Sequence, residues 1–258
     1  MLPSLDYSLL AGGMMDIEQH QQEILQNKRS WESKRLLRTI YGSFYNQIIA
    51  HIDHTLPGKI VELGSGAGNL KSILPHAICT DLFPNPWLDA VCNAYAMPFE
   101  NGSVSHLVLF HVLQHLERPN ELLKEARRVL TGGGRVIIFE PYMSTTSAMV
   151  YGFFHHEPIG WKKLINYSDD APSGNSYYAA QGNATRLFFR HESENWLKGW
   201  KVFHTQPMVS FSYLLSGGYS KPALYPETVL PMLQKLDALL TTWPSLFAAR
   251  CLIGLTPE

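Results

Sequence analysis

The sequence is short of several things, and each shortage removes a class of function. It holds only three cysteines, Cys79, Cys92 and Cys251, scattered and without a Cys-x-x-Cys pair. A disulfide framework and a zinc knuckle are therefore not expected, and reduced thiols in a cytoplasmic protein are. It lacks a charge excess: 21 Lys and Arg stand against 22 Asp and Glu. No basic surplus meets a phosphate backbone, so no nucleic-acid partner is expected. It also lacks a long apolar run. The stretch at Leu9-Leu10-Ala11 is too short for a signal core or a membrane span, and no basic residues precede it.

What is present is an ordinary globular composition, 45% hydrophobic and 17% charged over 258 residues. That length buries a sizeable core as one large α/β domain or a domain with a lobe. Residues 16–29 are polar and Gln-rich, and Ser30 is the expected N-cap of a second helix with Leu37, Tyr41, Phe44 and Ile48 on one face. Strand and helix signals then alternate. Lys59–Leu63, Ala77–Asp81, Ser105–Val112 and Arg135–Glu140 read as strands. Asn120 is the expected cap of a helix carrying Leu122, Ala126 and Val129, and Gly132-Gly133-Gly134 reads as the turn after it. Such alternation predicts parallel βαβ units in a doubly wound sheet.

The spacing predicts four stretches. Residues 1–57 form helices packing on or capping the ligand site, 58–141 a ligand-binding core, 142–225 an irregular cap segment, and 226–258 a helix and last strand that complete the core. The irregular stretch is too long for a passive connection inside a compact domain, which suggests a substrate lobe. The helix candidate carries Val229, Leu233, Leu236 and Leu240, and Phe247–Leu255 reads as the last strand.

The chemistry concentrates at Glu62-Leu63-Gly64-Ser65-Gly66-Ala67-Gly68, directly after the first strand. Glycines at such a turn permit positive φ and a close ligand approach. A dinucleotide loop, G-x-G-x-x-G, needs glycine at position 69, where Asn69 stands. The Lys-Ser/Thr end of a P-loop is missing too. Glu62 is placed to accept from an ammonium, Asp81 from two ribose hydroxyls, and Asn93 and Ala94 to read an adenine edge. Each also has a plain alternative, since carboxylates end strands and Asn stabilises turns.

Taken together, VELGSGAG (61–68), TDL (80–82), NAYAMPFENGSVSHLVLFHVLQHLERP (93–119) and LKEARRVLTGGGRVIIFEP (123–141) resemble the class I S-adenosylmethionine-dependent methyltransferases, in particular the small-molecule group. The resemblance implies a Rossmann-like, mostly parallel seven-stranded sheet with an inserted cap lobe. It implies S-adenosylmethionine as cofactor, S-adenosylhomocysteine as product, and a small molecule, sugar or lipid-linked compound as methyl acceptor. Gly64, Ser65, Gly66 and Gly68 would hold the methionine end with Glu62. Asp81 and Leu82 would hold the ribose side, Asn93 and Ala94 the adenine. Phe110 and His111 would line the sulfonium. The family usually carries Asp where this chain has Asn93, and the helix after the glycine loop is unusually short.

Methyl transfer from a sulfonium asks the protein mainly for alignment and exclusion of water, with a general base for a hydroxyl acceptor. His111, His115, His155 and His156 are the candidate bases. Adjacent His155 and His156 point apart on a regular element, so no metal site is expected. Arg190-His191-Glu192 reads as a helix start. Trp31, Tyr41 and Tyr45 either pack the second helix to the core or bring a ring to the sulfonium. The competing readings are a non-catalytic cofactor-binding protein on the same fold and, against the Asn69 evidence, an NAD(P)-dependent oxidoreductase. Nucleic-acid methylation is disfavoured by charge and by Phe110-His111-Val112-Leu113, which stands where an amino-methylating enzyme's Asn/Asp-Pro-Pro motif would be.

Overall fold

The computed structural model describes residues 14–154, 165, 180–192 and 195–258. Seven strands form one sheet in the order β3-β2-β1-β4-β5-β7-β6. The strands are β1 (Lys59–Leu63), β2 (Ile78–Asp81), β3 (Ala90–Val91), β4 (Val104–Phe110), β5 (Leu130–Pro141), β6 (Trp200–Met208) and β7 (Arg250–Pro257). β3 through β5 run parallel, and β7 is antiparallel to both β5 and β6. The chain order steps outward from β1 in both directions. This puts a crevice outside the carboxyl ends of β1 and β4, where open α/β sheets bind ligands.

The central strands are mostly apolar because both faces are covered, with Glu62, Ser105, His106 and Glu140 as buried polar exceptions. Alternate residues serve opposite cores. Leu107, Leu109, Val136 and Ile138 face α3 (Pro119–Val129), which buries Leu122, Leu123, Ala126 and Val129. Val108, Ile137 and Phe139 face α2 (Arg35–Ile49), which buries Leu37, Ile40, Tyr41, Phe44, Tyr45 and Ile48. The period of 2 on the strand and 3.6 on the helix therefore meet as the pattern predicts. Six such side chains contribute roughly 1.5–3 kcal/mol each by burial, which anchors α2 beside the crevice.

Several local expectations are corrected. Ser30 lies inside α1 (Met14–Ser33) and caps nothing; the α1–α2 break falls at Lys34. Asn120 is the second residue of α3, and Pro119 opens the helix with φ already suited to it. Gly132-Gly133-Gly134 lies within β5, where the pairing shifts from Val104↔Leu130 to His106↔Arg135 and the glycines leave the ladder. Arg190-His191-Glu192 follows a short wide-wound helix at Thr185–Phe189, and His191 has φ 51°, so it ends a helix.

Within 142–225, α4 (Thr145–Phe154) and α5 (Phe211–Leu215) are helical, and β6 completes the sheet edge. α6 (Leu230–Leu240) and α7 (Pro244–Phe247) precede β7, so the last strand starts at Arg250, three residues after the expected Phe247. Among the described residues no helix is long and apolar enough to cross a membrane.

Candidate active site

The glycine loop leaves β1 with Gly64, Gly66 and Gly68 all at positive φ, 63°, 52° and 71°. Two of them have different steric reasons to lack a side chain. A Cβ on Gly64 would lie 2.6 Å from Val112 Cγ2, whereas one on Gly66 would project into open space. The loop is tied down on the sheet side. Ser65 N–H donates to Thr80 O (2.8 Å), Gly68 N–H to Ser65 O (2.8 Å), and Gly66 N–H to Asp81 Oδ2 (2.9 Å). Trp87 Nε1 donates to Gly66 O at 2.8 Å and braces it from the other side.

A cavity of about 140 Å³ opens against the loop residues Gly64, Ser65, Gly66 and Ala67. Its floor is Glu62, and Phe110 and His111 from the end of β4 form one wall. Tyr41 and Tyr45 of α2 form another, and Asn27, Asn69 and Tyr219 complete it. Tyr41 stacks on Phe110 (5.3 Å between ring centres) and Tyr45 lies 5.0 Å from the same ring. These tyrosines are buried in the α2 core and also line the cavity.

Glu62 is 1% exposed. Burial pushes its carboxyl up to about 7, opposed by hydrogen bonds from Ser65, Cys79 and Tyr45. Cys79 Sγ donates to Oε2 at 3.5 Å. Burial raises the Cys79 thiol to about 12, so it remains a neutral donor. A buried acid facing an aromatic wall is suited to a cation, which would return it to its charged form.

Asp81 sits behind Gly66 and takes N–H bonds from Gly66 and, at 3.3 Å, from Phe83. Two carboxylate oxygens offer about four acceptor positions, so room for hydroxyl donors remains. Leu82 beside it is 38% exposed and offers an apolar ledge. Asn93 is exposed, and its Oδ1 accepts Tyr95 N–H at 2.9 Å. That bond stabilises the turn and leaves one lone pair for another donor. Asp81, Leu82, Asn93 and Ala94 lie along the ends of β2 and β3, outside the cavity but contiguous with the loop through Gly66.

Of the candidate bases, His111 lines the cavity and has φ 58°. His115 lies outside it, with Nε2 3.1 Å from Gln114 Nε2. His155 and His156 lie outside the described residues. The backbone around His111 is held by a residue that sequence reading passed over as a strand end. Glu140, 1% exposed, accepts Leu113 N–H at 2.7 Å, with the backbone N–H groups of Val112 and Gln114 beside it. Burial raises its carboxyl to about 8 against those bonds and the nearby Arg250 charge. Tyr219, Asn27 and Asn69 were also missed. The Asn69 position was read only as a missing glycine.

The residues present suit an amino-acid-bearing nucleoside. The open side of Gly66 leaves room for backbone approach, and the carboxyls of Glu62 and Asp81 are acceptors of the kind an ammonium and vicinal hydroxyls would need. Among the described residues, no three His, Cys, Asp or Glu side chains gather where they would hold a metal.

Residues 61–138 match the family model of the methyltransferase domain. A 2.20 Å structure from Thermotoga maritima, described as an S-adenosylmethionine-dependent methyltransferase and possible histamine N-methyltransferase, is similar over 95% of this chain and 100% of its own. Its TM-score is 0.55 at 16% identity. A methyltransferase from Archaeoglobus fulgidus follows at TM-score 0.51 and 12% identity, over 86% of this chain and 94% of its own. In sequence, 47 residues are 45% identical to an uncharacterised 37.1 kDa protein of transposon Tn4556 from Streptomyces fradiae. That match covers 18% of this chain and only 14% of the relative. The solved structures show the fold, and the family model marks residues 61–138, about a third of the chain, as similar to a methyltransferase domain.

Proposed function

We propose that this protein transfers a methyl group from S-adenosylmethionine to a small-molecule, sugar or lipid-linked acceptor. The observation that carries the reading is the cavity at Gly66, with a buried acid as its floor and tyrosines as its wall. Glu62, Gly64, Ser65, Gly66 and Gly68 are assigned to the amino-acid end of the cofactor. Asp81 and Leu82 are assigned to its ribose side, and Asn93 with Ala94 to its adenine. When bound, the cofactor supplies an already activated methyl on sulfur, open to in-line displacement.

The remaining work belongs to this chain. Phe110, Tyr41 and Tyr45 exclude water and present ring faces, which favour a cation over a neutral group. His111, which lines the cavity beside the Glu140-held loop, is assigned the proton of an acceptor hydroxyl or amine. The near-neutral net charge supports a small acceptor over a nucleic acid. Residues 142–225, apart from β6 in the sheet and Tyr219 in the cofactor cavity, are assigned to the acceptor side, and α1 and α2 to capping the cofactor. The test is calorimetry with S-adenosylmethionine and S-adenosylhomocysteine, followed by methyl transfer from labelled cofactor to metabolite extract. Binding in the micromolar range with labelled product supports the reading. No binding at several hundred micromolar overturns it.

A further inference from the structure

The tyrosine that closes the cavity, Tyr219, comes from a tight loop after α5, far from the glycine motif in sequence. The loop is built for that position. Gly217 and Gly218 are both left-handed (φ 74° and 53°), and a side chain on Gly217 would run into the carbonyl oxygens of Lys221 and Pro222. Lys221 N–H closes the turn on Gly217 O at 2.9 Å. Such a turn presents several carbonyl oxygens on one side, and a single cation collects them. Lys34 Nζ donates to Gly218 O (2.8 Å), Tyr219 O (3.1 Å) and Lys221 O (2.8 Å). Ser30 Oγ donates to Tyr219 O at 2.8 Å. Lys34 itself occupies the break between α1 and α2, with extended backbone (φ −99°, ψ 96°). The break aims its side chain across at the loop.

Inside the cavity the Tyr219 hydroxyl accepts from Asn69 Nδ2 at 2.8 Å, and its ring meets Tyr41 edge-on at 5.2 Å. The ring of Tyr41 also meets that of Tyr213 edge-on at 5.8 Å. Burial raises the Tyr219 hydroxyl well above its ordinary value, so it is a neutral donor at any working pH. Meanwhile the usual anion receptor of a glycine loop is reduced here. The helix that follows is one four-residue turn, Asn69–Ser72, and three of the loop N–H groups are already bonded within the protein. Among the described residues lining the cavity there is no lysine or arginine.

We infer that Tyr219 and Asn69 receive the carboxylate of the cofactor's amino-acid end, and that Lys34 is the positioning residue that latches the Tyr219 loop over it. Neutral hydroxyl and amide donors thereby replace the helix terminus that this chain shortens. The inference rests on the cofactor reading above and extends it to residues from three separated parts of the chain.

Calorimetry on the full chain distinguishes the two, with S-adenosylhomocysteine and 5′-methylthioadenosine as probes. The second probe keeps the nucleoside and lacks the amino-acid end. Tyr219→Phe is expected to weaken S-adenosylhomocysteine roughly tenfold to hundredfold, the effect of removing a hydrogen bond to a charged group. It leaves methylthioadenosine within about twofold. Lys34→Met weakens S-adenosylhomocysteine by about tenfold and Lys34→Arg restores most of it. In the Tyr219→Phe background, Lys34→Met adds little, because it acts through the lost hydroxyl.

Failure of the unaltered protein to bind S-adenosylhomocysteine defeats the cofactor reading. Binding with unchanged affinity in Tyr219→Phe defeats the latch alone, as does equal weakening of both probes. Fully additive losses reduce Lys34 to fold stability and overturn its positioning role.

Discussion

Glu140→Ala is a severe test of how the site is supported, because the side chain touches no expected ligand. Its carboxyl accepts Leu113 N–H at 2.7 Å, with the N–H groups of Val112 and Gln114 beside it, in a loop where Leu113 is 1% and Gln114 5% exposed. Removing the acceptor leaves those donors buried and unmet, at about 1–3 kcal/mol for each one that water cannot reach. Relief of the buried acid's desolvation offsets part of this, so the net loss is about 3 kcal/mol. In a chain of this length that lowers Tm by roughly 6–12 °C.

Glu140→Gln keeps an acceptor oxygen, and a carboxyl raised to about 8 is already mostly neutral at pH 7. This variant is expected to lose less than about 1.5 kcal/mol. Urea unfolding with circular dichroism gives both values. A loss under 0.5 kcal/mol for Glu140→Ala (about the level of a neutral surface change) refutes the claim that this carboxyl holds the loop carrying His111.

Three further outcomes follow from the same geometry. Gly66→Ala is expected to fold, at a backbone cost of about 1–2 kcal/mol, but to bind S-adenosylhomocysteine at least tenfold more weakly because its methyl enters the cavity; calorimetry beside a melting curve separates the effects. Gly64→Ala is expected to be the less stable of the two, since its Cβ meets Val112 as well as an unfavourable φ, and equal melting temperatures would contradict this. Glu62 has its carboxyl raised from 4.5 to about 7, so the folded state binds more protons than the unfolded state between those values. Its stability contribution is complete below about 4.5 and lost as pH rises through 7, a span of a few kcal/mol, and Glu62→Gln is expected to flatten the stability-pH curve there.

The legible parts of the molecule were those written locally. β1, β2, β4 and α3 announce themselves by apolar runs, turn residues and helical spacing. The glycine loop with Asp81 is a compact signal because its partners lie within twenty residues. The Asn69 position, read as an argument against dinucleotides, also holds an amide in the cavity, which only the folded chain reveals. Tyr219 was out of reach because nothing in Gly217-Gly218-Tyr219 says which crevice the turn will enter. That is decided by Lys34, over 180 residues earlier. Glycines misled once: Gly132-Gly133-Gly134 read as a turn, yet the sheet register resumes at Arg135 and the strand runs through. The helix caps at Ser30 and Asn120 failed for a common reason. Proline at position 119 and the break at Lys34 set the helix ends, so no side-chain cap was needed.

The central claim is that the cavity beside Gly66 takes the amino-acid end of S-adenosylmethionine while Asp81 takes its ribose. Titration calorimetry of S-adenosylhomocysteine into the full chain and into Asp81→Ala tests it most directly. The account predicts one site with micromolar affinity in the unaltered protein and at least tenfold weaker binding in the variant. Equal affinity in both proteins, or no heat at several hundred micromolar ligand, would contradict it.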